Sequence, residues 1–243
     1  MEILFECLLM AFIKEEVNKI GADIKTCHKL VEDGADWDKK NKLKIFEGVY
    51  CMMIRDFKKG AELFVSSIAT FTAAEVMEFD DFVFYAVVLA LLTQDRKTIK
   101  KEVIHSPDIL AVNRDIPHLK NFGESFYNCD YKTFFVEYIE ICERVNNDKY
   151  LKAHAQYYTK EMRLTAYKQY LESFKSVTID AMASAFGVSS DFIDRELSTF
   201  IYNGKLNCKI DKVSGVIESN RPNRKAELFD NTIKNGDALL NRV

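Results

Sequence analysis

The side chains that could do chemistry are scattered along this chain rather than grouped. Its four histidines, His28, His105, His118 and His154, lie far apart, and none has a second histidine or cysteine three or four residues away. A metal site or a histidine-based acid–base pair needs such neighbours on one face, or close pairs from adjoining turns. The six cysteines, Cys7, Cys27, Cys51, Cys129, Cys142 and Cys208, form no CxxC pair, and each sits in an apolar or amphipathic stretch. They read as reduced core residues of an intracellular protein. The carboxylate pairs Glu15-Glu16 and Asp80-Asp81 and the lysines Lys97, Lys100 and Lys101 read as charge on helix ends and solvated faces. The chain has no GxGxxG, GxxxxGK[ST], GxSxG or HExxH motif. The expectation is therefore no catalytic site, no cofactor and no metal.

The elements that position these residues are helical. Only 3 prolines occur in 243 residues, which suits long helices, because an internal proline breaks the hydrogen-bond ladder. A net charge of -3 implies no chain-wide attraction to nucleic acid or acidic membranes. The opening MEILFECLLMAFIKEEV is apolar, but it has no basic leading segment and is interrupted by Glu2 and Glu6, so no signal peptide is expected. The longest unbroken apolar stretch, Phe82 to Leu92, is about half of the roughly 20 residues a membrane span requires. A cytosolic protein is the default expectation.

Patterning predicts helices over 2–20, ending near Gly21, and 22–33, ending near Gly34. It then predicts a helical hairpin over 40–55 and 58–70, an apolar helix over 80–94 and a charged one over 96–105. Ser106-Pro107-Asp108 begins a new turn. From Tyr131, the series Tyr131, Phe134, Phe135, Tyr138, Ile139, Cys142 and Val145 places all seven on one helix face. A further helix covers 150–174.

The 42–75 hairpin resembles a degenerate tetratricopeptide (TPR) repeat. In Asp56-Phe57-Lys58-Lys59-Gly60-Ala61-Glu62-Leu63-Phe64 an aromatic follows the turn and small residues stand where two helix backbones would cross. Gly48 and Ser67 fall at further small positions, while Glu47 and Lys44 stand where the template prefers Leu and Trp. Asn128 to Phe135 echoes the same turn-plus-aromatic pattern. Such units stack into a solenoid, each burying its face against its neighbours.

The pattern changes after Phe174. Val177 and Ile179 suggest an extended segment, and 180–186 a short helix stopped by Gly187. Ser189 and Ser190 are candidate N-caps of a helix that buries Ile193, Leu197, Phe200 and Ile201 and ends at Gly204. Leu206, Cys208 and Ile210 then alternate with Lys205, Asn207 and Lys209, as in a half-buried strand, and Gly215 to Glu218 reads as its partner. Helix, turn, helix and hairpin is the order of a winged helix. Its second helix, 190–203, carries Asp191, Asp194 and Glu196 against Arg195 alone, a net of -2, which argues against insertion into a DNA groove. Lys205, Lys209 and Lys212 on the wing could touch phosphate, so a winged-helix nucleic-acid binder stands as a third reading.

A helical-repeat array running into a winged helix is the architecture of the PCI domain. The blocks Ile54-Arg55-Asp56-Phe57-Lys58, Ala185-Phe186-Gly187-Val188, Gly204-Lys205-Leu206 and Cys208-Lys209-Ile210-Asp211-Lys212-Val213 resemble the PCI-domain family of non-ATPase regulatory subunits of the 26S proteasome lid. The resemblance runs from about residue 35 to 243 and continues through Asn220-Arg221-Pro222 and Leu239-Leu240-Asn241-Arg242-Val243. It implies a TPR-like solenoid over 1–174, a winged-helix module over 175–220, and a basic connector with a C-terminal helix over 221–243. It implies a non-catalytic scaffold in the cytoplasm and nucleus, supporting ATP- and ubiquitin-dependent protein degradation. Its partners would be other lid PCI subunits, joined by side-by-side winged-helix association and C-terminal helix bundling, with the ATPase ring as a further contact; no nucleic acid and no membrane are implied. Family members usually carry a longer N-terminal repeat region. The PCI subunits of the signalosome are the nearest rival family. Candidate interface residues are Lys205, Asn207, Lys209, Ile217, Leu239 and Leu240. Val216 and Ile217 cannot both point into the core of a regular strand, so one of them is either exposed or buried by a neighbour.

Overall fold

The computed structural model describes residues 2–32, 34, 36–112, 116–219, 228–229 and 231–236. It divides into two compact units, Met1–Arg163 and Leu164–Val243. The mostly helical class expected from the sequence, with a small sheet near the C-terminal end, is what the chain adopts. Among the described residues no helix is long and apolar enough to cross a membrane.

The first unit holds α1 (Glu2–Ile13), α2 (Val17–Glu32), α3 (Trp37–Met53), α4 (Phe57–Ser67), α5 (Phe79–Thr93), α6 (Arg96–Thr98), α7 (Pro107–Val112), α8 (Pro117–Asn128), α9 (Tyr131–Asn147) and the start of α10 (Ala155–Ser173). A π-helical stretch, Ile99–Ile104, follows α6. The single helix expected over 2–20 is two: the chain turns at Glu15, whose φ is +55°, and α2 begins at Val17. Gly21, expected to end that helix, lies buried inside α2. A β-carbon there would stand 2.6 Å from the Tyr50 hydroxyl oxygen, so this glycine serves a close crossing of α2 and α3. Helix α8 had no clear signal in the sequence.

The hairpin α3–α4 is built as its small residues suggest. A β-carbon on Gly48 would meet the Phe64 ring at 2.5 Å, and one on Gly60 would lie 3.5 Å from the Gly48 carbonyl oxygen. Phe64 then meets Phe82 of α5 edge-on, with centroids 5.2 Å apart. Every residue of α5 from Phe82 to Leu91 is buried, which explains its unbroken apolar run. The template position Glu47 is also buried and takes two partners, His28 Nε2 at 2.9 Å and Lys59 Nζ at 2.6 Å. It thereby ties α2, α3 and α4 together.

The echo between the two aromatic turns is structural. Arg55 and Cys129 both adopt left-handed backbone, with φ of +65° and +63°. The next residues, Asp56 and Asp130, donate their amides back to the Cys51 and Ser125 carbonyls at 2.8 and 2.9 Å. Their carboxylates then cap α4 and α9 by accepting from the Lys59 and Thr133 amides. The first turn is fastened further. Arg55 Nε donates to His154 Nδ1 at 3.3 Å, and His154 Nε2 lies 2.8 Å from the Met53 carbonyl oxygen.

Three expectations need correction. In α9 the buried stripe is Tyr131, Phe134, Tyr138, Ile141 and Val145, a narrower seam than the seven predicted; Ile139 is exposed and Cys142 half-buried. Of the cysteines, only Cys27, Cys51 and Cys208 are buried, while Cys7 and Cys129 are exposed. Asp81 is more than a solvated helix-end charge, since it accepts from Arg144 Nη2 at 2.8 Å while that guanidinium lies over the Phe84 ring.

Candidate functional site

The second unit contains the rest of α10, β1 (Ser176–Thr178), α11 (Ile179–Phe186), α12 (Ser190–Tyr202), β2 (Cys208–Asp211) and β3 (Val216–Ser219). Local sequence sets each boundary. The Thr178 hydroxyl caps α11 by accepting from the Ala181 amide, and Ser189 caps α12 by accepting from the Phe192 amide. Gly187, at φ +67°, closes α11 in the left-handed conformation that glycine adopts without steric cost. Ser190 Oγ donates to Asp180 Oδ1 at 2.6 Å, tying the start of α12 to that of α11.

The core of this unit comprises Tyr167, Met182, Phe186, Ile193, Leu197, Phe200, Leu206, Cys208 and Ile217. Tyr167 stands at its centre. Its ring meets Phe186 edge-on at 5.1 Å, and its hydroxyl donates to Glu196 Oε2 at 3.0 Å. Cys208 packs into this core, and burial pushes its thiol above its ordinary pKa.

The sheet has the order β1-β3-β2, all antiparallel, so β3 is central and β2 forms one edge. Ile210 faces Ile217 and Lys209 faces Glu218 across the hairpin. Asp211 closes the wing turn. One of its oxygens accepts from the Val213 amide at 2.9 Å, the other from Ser214 Oγ at 2.7 Å. The bond from Ser214, with those from the Val213 and Ser214 amides, holds the carboxyl below its usual pKa.

The sequence-predicted interface residues separate into three groups. Lys205, Asn207 and Lys209 are exposed, with Asn207 and Lys209 alternating with buried Leu206 and Cys208, as a half-buried strand requires. Ile217 is a correction: it is 0% exposed, because its position on the central strand points into the unit's own core, and Val216 is the residue turned partly outward. Leu239 and Leu240 lie outside the described residues; the described residues 228–229 and 231–236 are helical. Counting charges along α12 also missed its faces. Two of its three acids are held internally, and Phe192 and Tyr202 are exposed.

Among the described residues no three His, Cys, Asp or Glu gather to hold a metal. What the unit presents is a short polar strand edge and an outward helix face.

Comparison with known proteins adds the context. Residues 1–102 match the family model described as 26S proteasome subunit RPN7, and residues 128–221 match the PCI domain. The chain is 49% identical over its whole length to the 26S proteasome non-ATPase regulatory subunit 6 of Oryza sativa, covering 62% of that protein. It is 48% identical, again over its whole length, to the subunit 6 homolog of Arabidopsis thaliana, covering 63%. A match at 28% identity to COP9 signalosome complex subunit 1 of Neurospora crassa spans 70% of this chain and 41% of that protein. The chain thus spans a little over three fifths of the length of the two plant relatives.

Proposed function

Since this chain belongs to the family of the 26S proteasome subunit RPN7, we propose that it is a scaffold subunit of the proteasome regulatory-particle lid. In this role it has no active site of its own and supports ATP- and ubiquitin-dependent protein degradation. It joins other lid PCI subunits side by side through the winged helix, in the cytoplasm and nucleus, and its C-terminal segment, with Leu239 and Leu240, bundles with theirs. The ATPase ring is a further neighbour, and neither nucleic acid nor membrane is a partner.

The observation that carries this reading is the edge strand β2. It lies outermost in its sheet beside β3, and an edge strand has backbone donors and acceptors that a second strand can pair with. Lys209 of β2 and Asn207, the residue just before that strand, are exposed. Lysine on an edge discourages indiscriminate pairing, and a partner strand bearing carboxylates would be admitted selectively.

A second reading, a PCI subunit of the signalosome, is favoured by the likeness to COP9 subunit 1 and keeps the scaffold role with different neighbours. Affinity purification of the tagged chain from its native cell separates the two. Co-purification of the proteasomal ATPases supports the lid, and their absence alongside signalosome subunits refutes it.

A further inference from the structure

We infer that the outward face of α12 is a second docking surface, apart from the β2 edge, which receives an acidic amphipathic helix of a partner subunit. The inference rests on the scaffold reading, because it supposes partner subunits. The face is the stripe Phe192, Arg195, Thr199 and Tyr202, spaced i, i+3, i+7 and i+10, which lies along one side of a helix. Phe192 is 38% exposed and Tyr202 is 90% exposed, although both are large apolar residues at the two ends of the same stripe. Exposed aromatic residues flanking an arginine are the composition that interface hot spots favour.

The charge of α12 looks different once its side chains are placed. Asp194 Oδ2 pairs with Lys212 Nζ of the wing at 3.2 Å, and Glu196 accepts from Tyr167 at 3.0 Å. Asp191 stands in the first turn, where the helix dipole favours a carboxylate. Arg195 is exposed and has no ion pair among the described residues. The centre of the stripe therefore carries a cation with no ion pair among the described residues, with Asp191 one helical turn before it.

These features define the occupant. From Phe192 to Tyr202 is about 15 Å at the helical rise, so the matching surface has apolar side chains about ten residues apart along a helix. A carboxylate midway between them satisfies the Arg195 guanidinium, and its bonds strengthen as the flanking aromatics exclude water. Nucleic acid fits poorly, since one arginine offers only a single phosphate contact.

The test uses the full chain and the purified lid PCI subunits of the same organism, with affinities measured by titration calorimetry. Arg195→Glu and the pair Phe192→Ala, Tyr202→Ala should each weaken binding to one subunit by at least about tenfold. Thermal melting of Arg195→Glu should be unchanged, since that side chain is outward, while Phe192, only 38% exposed, adds a modest packing loss to the double variant. Exchanging the facing carboxylate of that subunit for lysine should restore binding to Arg195→Glu. Wild-type affinity of both variants for every subunit that the unaltered chain binds overturns the α12 surface alone. Failure of the unaltered chain to bind any subunit overturns the scaffold reading and the surface with it. A labelled DNA or RNA duplex bound by the wild type and released by Arg195→Glu also overturns it, as does self-association lost in the same variant.

Discussion

Gly48 of α3 lies so close under the Phe64 ring of α4 that a β-carbon on it would stand 2.5 Å from a ring atom. Two helix axes can approach this closely only if one side of the crossing has no side chain. Gly48→Ala is therefore predicted to destabilise the chain by about 1–3 kcal/mol, even after the gain in helix propensity that alanine brings. Thermal melting should show the loss. Phe64→Leu in the Gly48→Ala background should recover part of it, and strictly additive effects would show that the two residues are uncoupled.

The buried carboxylate of Glu47 joins Lys59 and His28, both about half exposed. Its bond to Lys59 raises the lysine's pKa above the ordinary value. Glu47→Ala should cost about 1–2 kcal/mol, through a small cavity and two lost bonds. Glu47→Leu, which restores the residue the repeat template prefers, should lie within about 1 kcal/mol of the wild type. Chemical denaturation of both variants checks this, and a leucine variant as unstable as the alanine one would contradict it.

Tyr158 of α10 is fully buried, and its hydroxyl has no hydrogen-bond partner among the described residues. Burial pushes its pKa well above the usual tyrosine value. Removing an unsatisfied buried hydroxyl removes a desolvation cost of about 1 kcal/mol or more, so Tyr158→Phe should be neutral to stabilising. A clear drop in melting temperature would reveal a bond that the geometry does not show.

His118 of α8 lies 2.7 Å from Glu137 of α9, and that bond raises the imidazole above its ordinary pKa of 6.5. A group whose pKa is raised by folding contributes stability that is complete below its unfolded pKa. That stability is lost as pH rises through the folded value. The α8–α9 contact should therefore weaken as pH rises above 6.5 and through the raised pKa of His118. NMR titration of His118 should give a midpoint above 6.5 in the wild type, returning toward it in Glu137→Gln.

Much of this architecture could be read from residue spacing, because spacing decides which face a side chain takes. Gly48, Gly60 and Phe64 announced a close helix crossing, and Leu206 and Cys208 announced a strand. Features set by long-range pairing were not readable. The break at Glu15 puts a non-glycine residue in left-handed backbone, and no composition rule predicts that. In the sequence Gly21 reads as a stop signal, because a glycine at a crossing and a glycine at a cap look alike until the partner, Tyr50, is known. In the sequence Ile217 reads as an interface candidate, because the choice between it and Val216 depends on the pairing of β3 with both neighbours. Tyr167 and Lys212 occupy two acids of α12, and neither could be foreseen from the charge of α12 alone.

In the proposed role the winged-helix edge assembles this chain with lid subunits. Size exclusion with light scattering, on mixtures of the chain and purified lid PCI subunits, tests it most directly. The wild type should elute in a stoichiometric complex, and Asn207→Glu with Lys209→Glu on the β2 edge should elute alone while melting normally. A wild-type chain that stays monomeric in every mixture, or an edge variant that assembles as well as the wild type, would contradict the account.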